Sequence, residues 1–462
     1  MNHDTICALA TANGVGALGI IRVSGNKAFE IVNRCFEGKN LSKAESHTVH
    51  YGFIQDGDEQ IDEVMVSVFK APRTFTTEDS VEISFHGSPH IAKKILEVLI
   101  KNGARMAKAG EFTMRAFMNG RIDLSQAEAI ADVIASENEA SRKVALNQLK
   151  GGISNEISEL RGDLLNFTSL VELELDFAEE DVEFADRTAM KMLLDSLETK
   201  LSALIDSFQY GNAIKNGVDV AIIGKPNAGK STLLNALLKE ERAIVSDIAG
   251  TTRDTIEEIL HIKGTAFRFI DTAGIRETTD EIEAIGVQKA KEKIATAKIL
   301  LYLYDEFDSK PQEVIDFVKE FYREDLKIIL LHNKIDINGS VENEFDQKLA
   351  ETLVPVYTTT LLPISAKDQT GIEALKTELI HYVENLKQDE SNVIITNQRH
   401  YEALQKSLES VKRVKSAISQ SFHTELLAYE LRYALEHLGE ISGEFTNDEV
   451  LGNIFSKFCI GK

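Results

Sequence analysis

The sequence predicts a multidomain α/β protein: an α+β N-terminal domain, then an all-α helical domain, with a P-loop α/β domain inserted into the helical one. Three observations predict it. Residues 1–120 read as short extended runs punctuated by Gly and Pro. Apolar residues at helical spacing fill both 121–215 and 385–462. Between them, over 216–384, buried strand-like runs alternate with helical segments, and the first strand runs straight into a glycine-rich loop, GKPNAGKS. A chain of 462 residues accommodates about three domains at roughly 150 residues each, and each is long enough to bury its own core.

Taken in order, GALGIIRVSG, EVMVSVFKA and SVEISFHG read as strands of the first domain, and HIAKKILEVLIKNG as its one helical stretch. Gly14-Val15-Gly16-Ala17-Leu18-Gly19 matches a dinucleotide fingerprint, but that fingerprint needs a helix to start at the loop. The β-branched run IIRVSG follows instead and favours a strand, so the segment is read as a glycine-rich connection. From Ser125 the spacing becomes helical, through Ala127, Ile130, Ala131 and Ile134, then Leu160, Leu164, Phe167 and Val171, then Leu193, Leu197, Leu201 and Leu204. Past Gly217 the runs VAIIG, FRFIDT, ILLYLYD and KIILLHN predict a parallel α/β sheet. Helical spacing returns at Leu404, Leu408, Val411 and Ile418, and at Leu427, Leu431, Leu435 and Leu438. An inserted domain explains this order with one helical body whose two parts pack together; two separate bundles are the alternative.

Composition narrows the function classes. Cys7, Cys35 and Cys459 stand far apart, in no CxxC or His-paired spacing, which suits a reducing compartment and argues against a zinc site. No run approaches the roughly 18 apolar residues of a membrane span, and MNHDTICALAT lacks the basic and apolar regions of a targeting peptide. A cytoplasmic protein with no membrane contact is expected. The net charge of −23 opposes broad non-specific nucleic-acid binding while leaving room for a local basic face.

The declared site is the loop Gly224-Lys225-Pro226-Asn227-Ala228-Gly229-Lys230-Ser231, which fits G-x-x-x-x-G-K-[ST] between a strand and a helix. Its backbone N–H groups, from Asn227 through Thr232, suit a phosphate chain. Lys230 reaches the outer phosphates, the Ser231 hydroxyl suits Mg²⁺, and the following helix points its positive end at the anion. Asp271-Thr272-Ala273-Gly274 closes the strand FRFI and supplies a carboxylate near the metal and an N–H near the last phosphate. Asn333-Lys334-Ile335-Asp336 closes KIILLH, where a carboxylate can accept the ring N–H and the exocyclic amine of guanine; Ser365 and Ala366 of the SAK run would back the base. GTP is the expected ligand. Ile275 follows the DTAG run, where Ras-like switches carry the glutamine that orients water, so the water must be held otherwise, with Glu283 and Arg276 as candidates. No arginine finger is evident, and Asn227 together with SDIAGTTRD, Ser246 to Asp254, offers the hard oxygen ligands that a monovalent cation needs to do that work.

These residues resemble the MnmE (TrmE) family of tRNA-modification GTPases over essentially the whole chain. GKPNAGKST, IAGTTRDT and DTAGIRETTDEIEAIG match its G domain, GEFTMRAFMNGRIDLSQAEAIADVI matches its most recognisable other stretch, and CIGK is its ending. The resemblance implies an N-terminal domain, 1–120, that binds a tetrahydrofolate in its 5,10-methylene or 5-formyl form and dimerises. It implies a helical domain of 121–215 and 385–462, and a G domain, 216–384, that dimerises around K⁺. It further implies a homodimer acting with a flavin-binding partner, MnmG, on tRNA, to install a (carboxymethyl)aminomethyl-type group at C5 of the wobble uridine. By resemblance Asn227, Ser246, Ile248 and Thr251 surround K⁺, Ser231 and Thr252 hold Mg²⁺, Glu283 orients the attacking water, and Asp247, Ala249 and Gly250 join the nucleotide contacts.

For folate the resemblance points to Arg22, Glu82, Arg121 and Lys462, with a structural ion pair as the competing reading of Arg22 and Glu82. Opposite charges suit a pterin that donates and a glutamate tail that accepts. The chain departs from the family pattern at Ser246 for threonine, Thr77 for glycine and Arg121 for lysine. The end FSKFCIGK places Cys459 where a prenyl acceptor would sit, but Gly461 and Lys462 do not suit prenylation and no polybasic second signal accompanies them. Cys459 reads either as a spare thiol or, by resemblance, as a nucleophile or acid/base beside the one-carbon unit. A GTP-regulated ribosome-assembly factor that binds rRNA is the alternative function; it should carry a basic RNA-binding appendage, and none is found.

Overall fold

The structure is a computed structural model that describes residues 4–176, 187–238, 257–270, 294–338, 344–357, 359–387, 393–419, 424–446 and 448–461. It divides into two compact units, one of Met1–Ala135, Ala145–Leu197 and Ala403–Lys462, the other of Ser136–Val144 and Glu198–Glu402.

The first unit opens with strands β1 (Ile6–Leu9), β2 (Leu18–Ser24), β3 (Phe36–Glu37), β4 (Thr48–Asp56), β5 (Glu59–Phe69), β6 (Ser80–His86) and β7 (Arg105–Met106), ordered β3-β4-β5-β6-β2-β1-β7. The Gly14 segment is the connection into β2, as its β-branched continuation requires. Strand alternation sorts the side chains onto two faces. Cys7, Ile21, Val23, Val66 and Ile83 pack under the helix Pro89–Lys101, whose Ile95 and Leu99 join the same core. Ile6 and Ala8 point the other way, into a smaller cluster with Ala107, Phe112 and Phe75. The single expected helix of this region is corrected: Ala28–Asn33 and Glu111–Met118 are helical too. Both are under three turns, too short to register as an apolar period.

The helices Leu124–Ala135, Gly152–Asp176 and Thr424–Ser442 bury Leu124, Ala127, Leu160, Leu164, Val171, Leu427, Leu431 and Leu438, whereas Ile134 is exposed. The two flanking helical stretches meet through Glu172 and Arg432, 2.6 Å apart, and through Arg161 and Glu444. The last helix, Asp448–Ser456, sets Leu451 and Phe455 against Leu124 and Ala127.

The second unit holds β8 (Val218–Gly224), β9 (Glu257–Ile262), β10 (Thr265–Ile270), β11 (Ile299–Tyr304), β12 (Lys327–His332) and β13 (Thr359–Pro363), ordered β13-β12-β11-β8-β10-β9. The parallel expectation is corrected at one edge, where β9 runs antiparallel to β10. Lys263 and Gly264, at φ +48° and +84°, make the two-residue turn that allows it. Val220, Ile222, Leu301 and Leu331 are buried in near-continuous apolar strands, so every catalytic group must come from the strand ends.

Candidate functional site

β8 ends at Gly224 and the helix Lys230–Leu238 starts directly after the loop. Turning that sharply needs positive φ at Asn227 (+61°) and Gly229 (+97°). A Cβ on Gly229 would strike the Asn333 amide, so glycine is required by contact as well as by conformation. Lys230 Nζ donates to the Gly224 and Lys225 carbonyls at 2.6 and 2.9 Å, which holds the ammonium inside the loop. Ser231 and Thr232 are exposed in the first turn of the helix.

The base side is tied to the phosphate side through Asn333, which is buried. Its Nδ2 donates to the Ala228 carbonyl at 2.7 Å, and its Oδ1 accepts from the Ala366 N–H at 3.0 Å. Ser365 Oγ donates to Asp336 Oδ1 at 2.8 Å, which fixes the orientation of an exposed carboxylate. Loop, NKID and SAK runs, far apart in the chain, therefore form one constellation.

One member of it was invisible in the sequence. Asp305, at the end of β11, pairs with Lys334 Nζ at 2.7 Å and accepts from the Phe307 and Asp308 N–H groups. Burial pushes the Asp305 carboxyl up, but the Lys334 ammonium and those N–H groups outweigh it and hold it below the usual range. Lys225 donates to the Asp308 carbonyl and to Glu313 Oε2, both at 2.6 Å, so the same turn also grips the P-loop. An aspartate just past a strand belongs to no motif, and only its position at the strand end could have signalled it. The predicted residues Ser246, Asp247, Ile248, Ala249, Gly250, Thr251, Thr252, Asp271, Thr272, Ala273, Gly274 and Glu283, with Lys462, lie outside the described residues.

A second constellation occupies the sheet face of the first unit away from its main core. Arg22 and Glu82 are register partners on β2 and β6, with Arg22 Nε 3.0 Å from Glu82 Oε1. Arg22 lies 5.3 Å from the Phe75 ring centroid and 5.7 Å from that of Phe112. Arg121 stands over the same Phe75 ring at 5.2 Å and donates to the Thr74 carbonyl. Two guanidiniums, one carboxylate and an aromatic face thus converge, and Phe75 is the member the sequence did not disclose. The chain end docks nearby. The Gly110 N–H donates to the Cys459 carbonyl, Ile460 bridges to Ala109, and Gly461, at φ +96°, sits on the Leu9 carbonyl where a Cβ would clash. Leu9 adjoins Ala8, the register partner of Arg22. Cys459 is exposed, whereas burial pushes the Cys7 and Cys35 thiols up to about 12 and leaves them inert.

Comparison with known proteins identifies this combination. Residues 5–121 match the family described as GTP-binding protein TrmE N-terminus, and residues 124–459 match the MnmE helical domain. The chain belongs to the MnmE family of tRNA modification GTPases. The tRNA modification GTPase MnmE of Flavobacterium johnsoniae is 52% identical over 100% of both chains, and that of Christiangramia forsetii is 51% identical over 100% of this chain and 99% of its own. Among solved structures, a variant of Era from Aquifex aeolicus bound to GDP·AlF4⁻ is 28% identical, covering 42% of this chain and 66% of that one at a TM-score of 0.29. Like other MnmE family members, the chain is a GTPase built on a P-loop G domain. No helix among the described residues is long and apolar enough to cross a membrane.

Proposed function

We propose that this GTPase acts on tRNA, coupling GTP hydrolysis to installation of a (carboxymethyl)aminomethyl-type group at C5 of the wobble uridine, as a homodimer working with an MnmG-type flavoprotein. The observation that carries the reading is the docked chain end. Its backbone is held to Ala109, Gly110 and Leu9, the last adjoining the register partner of Arg22, which supports reading the exposed Cys459 together with Arg22, Glu82, Phe75 and Arg121 in a chain that is also a GTPase.

The donor set at that face suits a tetrahydrofolate in its 5,10-methylene or 5-formyl form. Glu82 would accept from the pterin amines, and Arg22 and Arg121, both held over the Phe75 ring, would take carboxylates. Lys462 would add a further cation. The bound folate supplies the one-carbon unit, and Cys459 stands as nucleophile or acid/base beside it. In the G domain, Lys230 and the loop N–H groups hold the phosphates, Asp336 reads the guanine, and Ser231 with Thr252 offers Mg²⁺ its oxygen ligands. Asn227, Ser246, Ile248 and Thr251 offer K⁺ a hard-oxygen set, as suits a cation standing in for an arginine finger, and Glu283 orients the water.

The test is mass spectrometry of tRNA nucleosides from cells lacking the protein. Loss of the C5-modified wobble uridines is expected; an unchanged nucleoside profile would sink the tRNA reading.

A further inference from the structure

Directly beneath the guanine-recognition turn lies a buried polar cluster that makes none of the nucleotide contacts described above. Tyr304 and His332 are register partners at the C-terminal ends of β11 and β12, and both are buried. Their rings stack with centroids 5.2 Å apart, and Phe345 stacks on Tyr304 at the same spacing. Both reach one carboxylate. The Tyr304 hydroxyl donates to Asp346 Oδ1 at 2.6 Å, and His332 Nδ1 lies 2.8 Å from Asp346 Oδ2. Burial, reinforced by Asp346, pushes the tyrosine hydroxyl far up, so it remains a donor.

Asp346 sits in the first turn of the helix Glu344–Leu353 and is itself buried. Placing a carboxylate among stacked rings is unfavourable unless its oxygens are well used. What it fastens are the two strand ends that carry the base-recognition groups. Asp305, which holds Lys334, follows Tyr304, and Asn333, which ties the P-loop to Ala366, follows His332. The Asn333 N–H also donates to the Tyr304 carbonyl at 2.9 Å, so any slip of one strand end moves both groups.

We infer that Asp346, acting through Tyr304 and His332, is a positioning residue for guanine-nucleotide recognition. It fixes the ends of β11 and β12 against each other, and so holds Asn333, Lys334 and Asp336 where the base is read. The inference rests on reading the P-loop and NKID runs as the GTP site. A displaced recognition turn weakens ground state and transition state alike, so its loss raises Kd and KM and leaves kcat in place. A purely structural cluster would instead lower stability without moving the KM of the folded fraction.

The experiment uses the full chain, measuring binding of a fluorescent GDP and steady-state GTP hydrolysis. Asp346→Asn is expected to raise the GDP Kd and the GTP KM about tenfold, equivalent to about 1.4 kcal/mol, with kcat within about twofold of the parent. Tyr304→Phe, which keeps the stacked ring, should shift both in the same direction by less. The double variant should do less than the sum of the two single changes, because both act on the Tyr304–Asp346 bond. Folded variants with parental Kd and KM overturn the inference, even if they melt earlier. Should Asp346→Asn not fold, Tyr304→Phe decides by the same criterion. A parent chain that neither binds GDP nor hydrolyses GTP overturns the nucleotide reading, and this inference with it.

Discussion

Thr77 holds φ at +62°, the left-handed region in which a β-branched side chain crowds its own backbone. The loop thus holds a glycine-like conformation at the expense of strain. Its neighbours explain why. Thr74 accepts from Arg121, Thr76 accepts from Asn119, and Glu78 pairs with Arg115, so the backbone on both sides of Thr77 is anchored. Thr77→Gly should therefore stabilise the first unit by about 0.5–1 kcal/mol, the relief of strain less the added freedom of the unfolded glycine. Thermal unfolding of the full chain checks it, and a lower melting temperature would contradict the strain. The Cys459 prediction is of a different kind, because that thiol is exposed and its backbone, not its side chain, docks the tail. Cys459→Ser should leave GTP hydrolysis at the parental rate while lowering tRNA modification. Paired assays on one preparation separate the two, and loss of both or of neither counts against the assignment. The ending that carries Cys459 was recognisable in the sequence as a short motif, whereas Asp305 and Phe75 belong to none, because their places come from strand register and ring placement.

The helix Glu111–Met118 shows what an element this short needs. It begins at Gly110, φ +64°, with no side-chain cap, and is held instead by charge. Glu111 accepts from Arg105 at 2.6 Å and from Arg115 at 3.1 Å, and Asp4, just before β1, accepts from both arginines at 2.7 and 2.9 Å. Burial pushes the Glu111 carboxyl up, but the two arginines and the Lys108 N–H outweigh it and leave it lowered; Arg105 and Arg115 lower Asp4 as well. A lowered folded-state pKa contributes stability that is present above the unfolded carboxylate value of about 4 and is lost as pH falls through the folded value. Stability of the first unit should accordingly fall steeply below about pH 4. Glu111→Gln should cost about 3 kcal/mol at neutral pH, since it leaves two partly buried arginines short of a partner, and should flatten that acid limb. Melting curves across pH test both, and an unchanged acid limb would count against the network. Apolar period carries no trace of such a network, which is why the helix was missed. The antiparallel β9 was missed for a related reason: its direction is set by the Lys263-Gly264 turn, while its apolar content resembles that of its neighbours.

At the scale of the molecule, the fold class was legible because each part writes a different period: alternation in the N-terminal sheet, helical spacing in the flanks, and continuous apolar runs in the G-domain strands. The coupling of nucleotide chemistry to the tRNA reaction has no such period, and neither does the choice of tRNA, since contacts between separate molecules leave no spacing in one chain. The GTPase mechanism stands between these cases. Ile275 stands after DTAG where Ras-like switches carry glutamine, the P-loop carries Asn227 at a left-handed φ, and the sequence also holds a hydroxyl-rich SDIAGTTRD run. Positive charge is still needed where the β–γ bridge gains electron density, and the proposed K⁺ ligands Asn227, Ser246, Ile248 and Thr251 would supply it through a bound cation. Removing even one neutral donor from an oxyanion-stabilising site lowers kcat by about a hundredfold or more, which sets a lower bound for the effect of a cation. GTP turnover should therefore rise by at least about that factor when Na⁺ is replaced by K⁺ at fixed ionic strength, with GDP affinity little changed. Equal turnover in the two salts would remove the cation and require the missing charge to come from a side chain of the chain itself, with Arg276 the first to substitute.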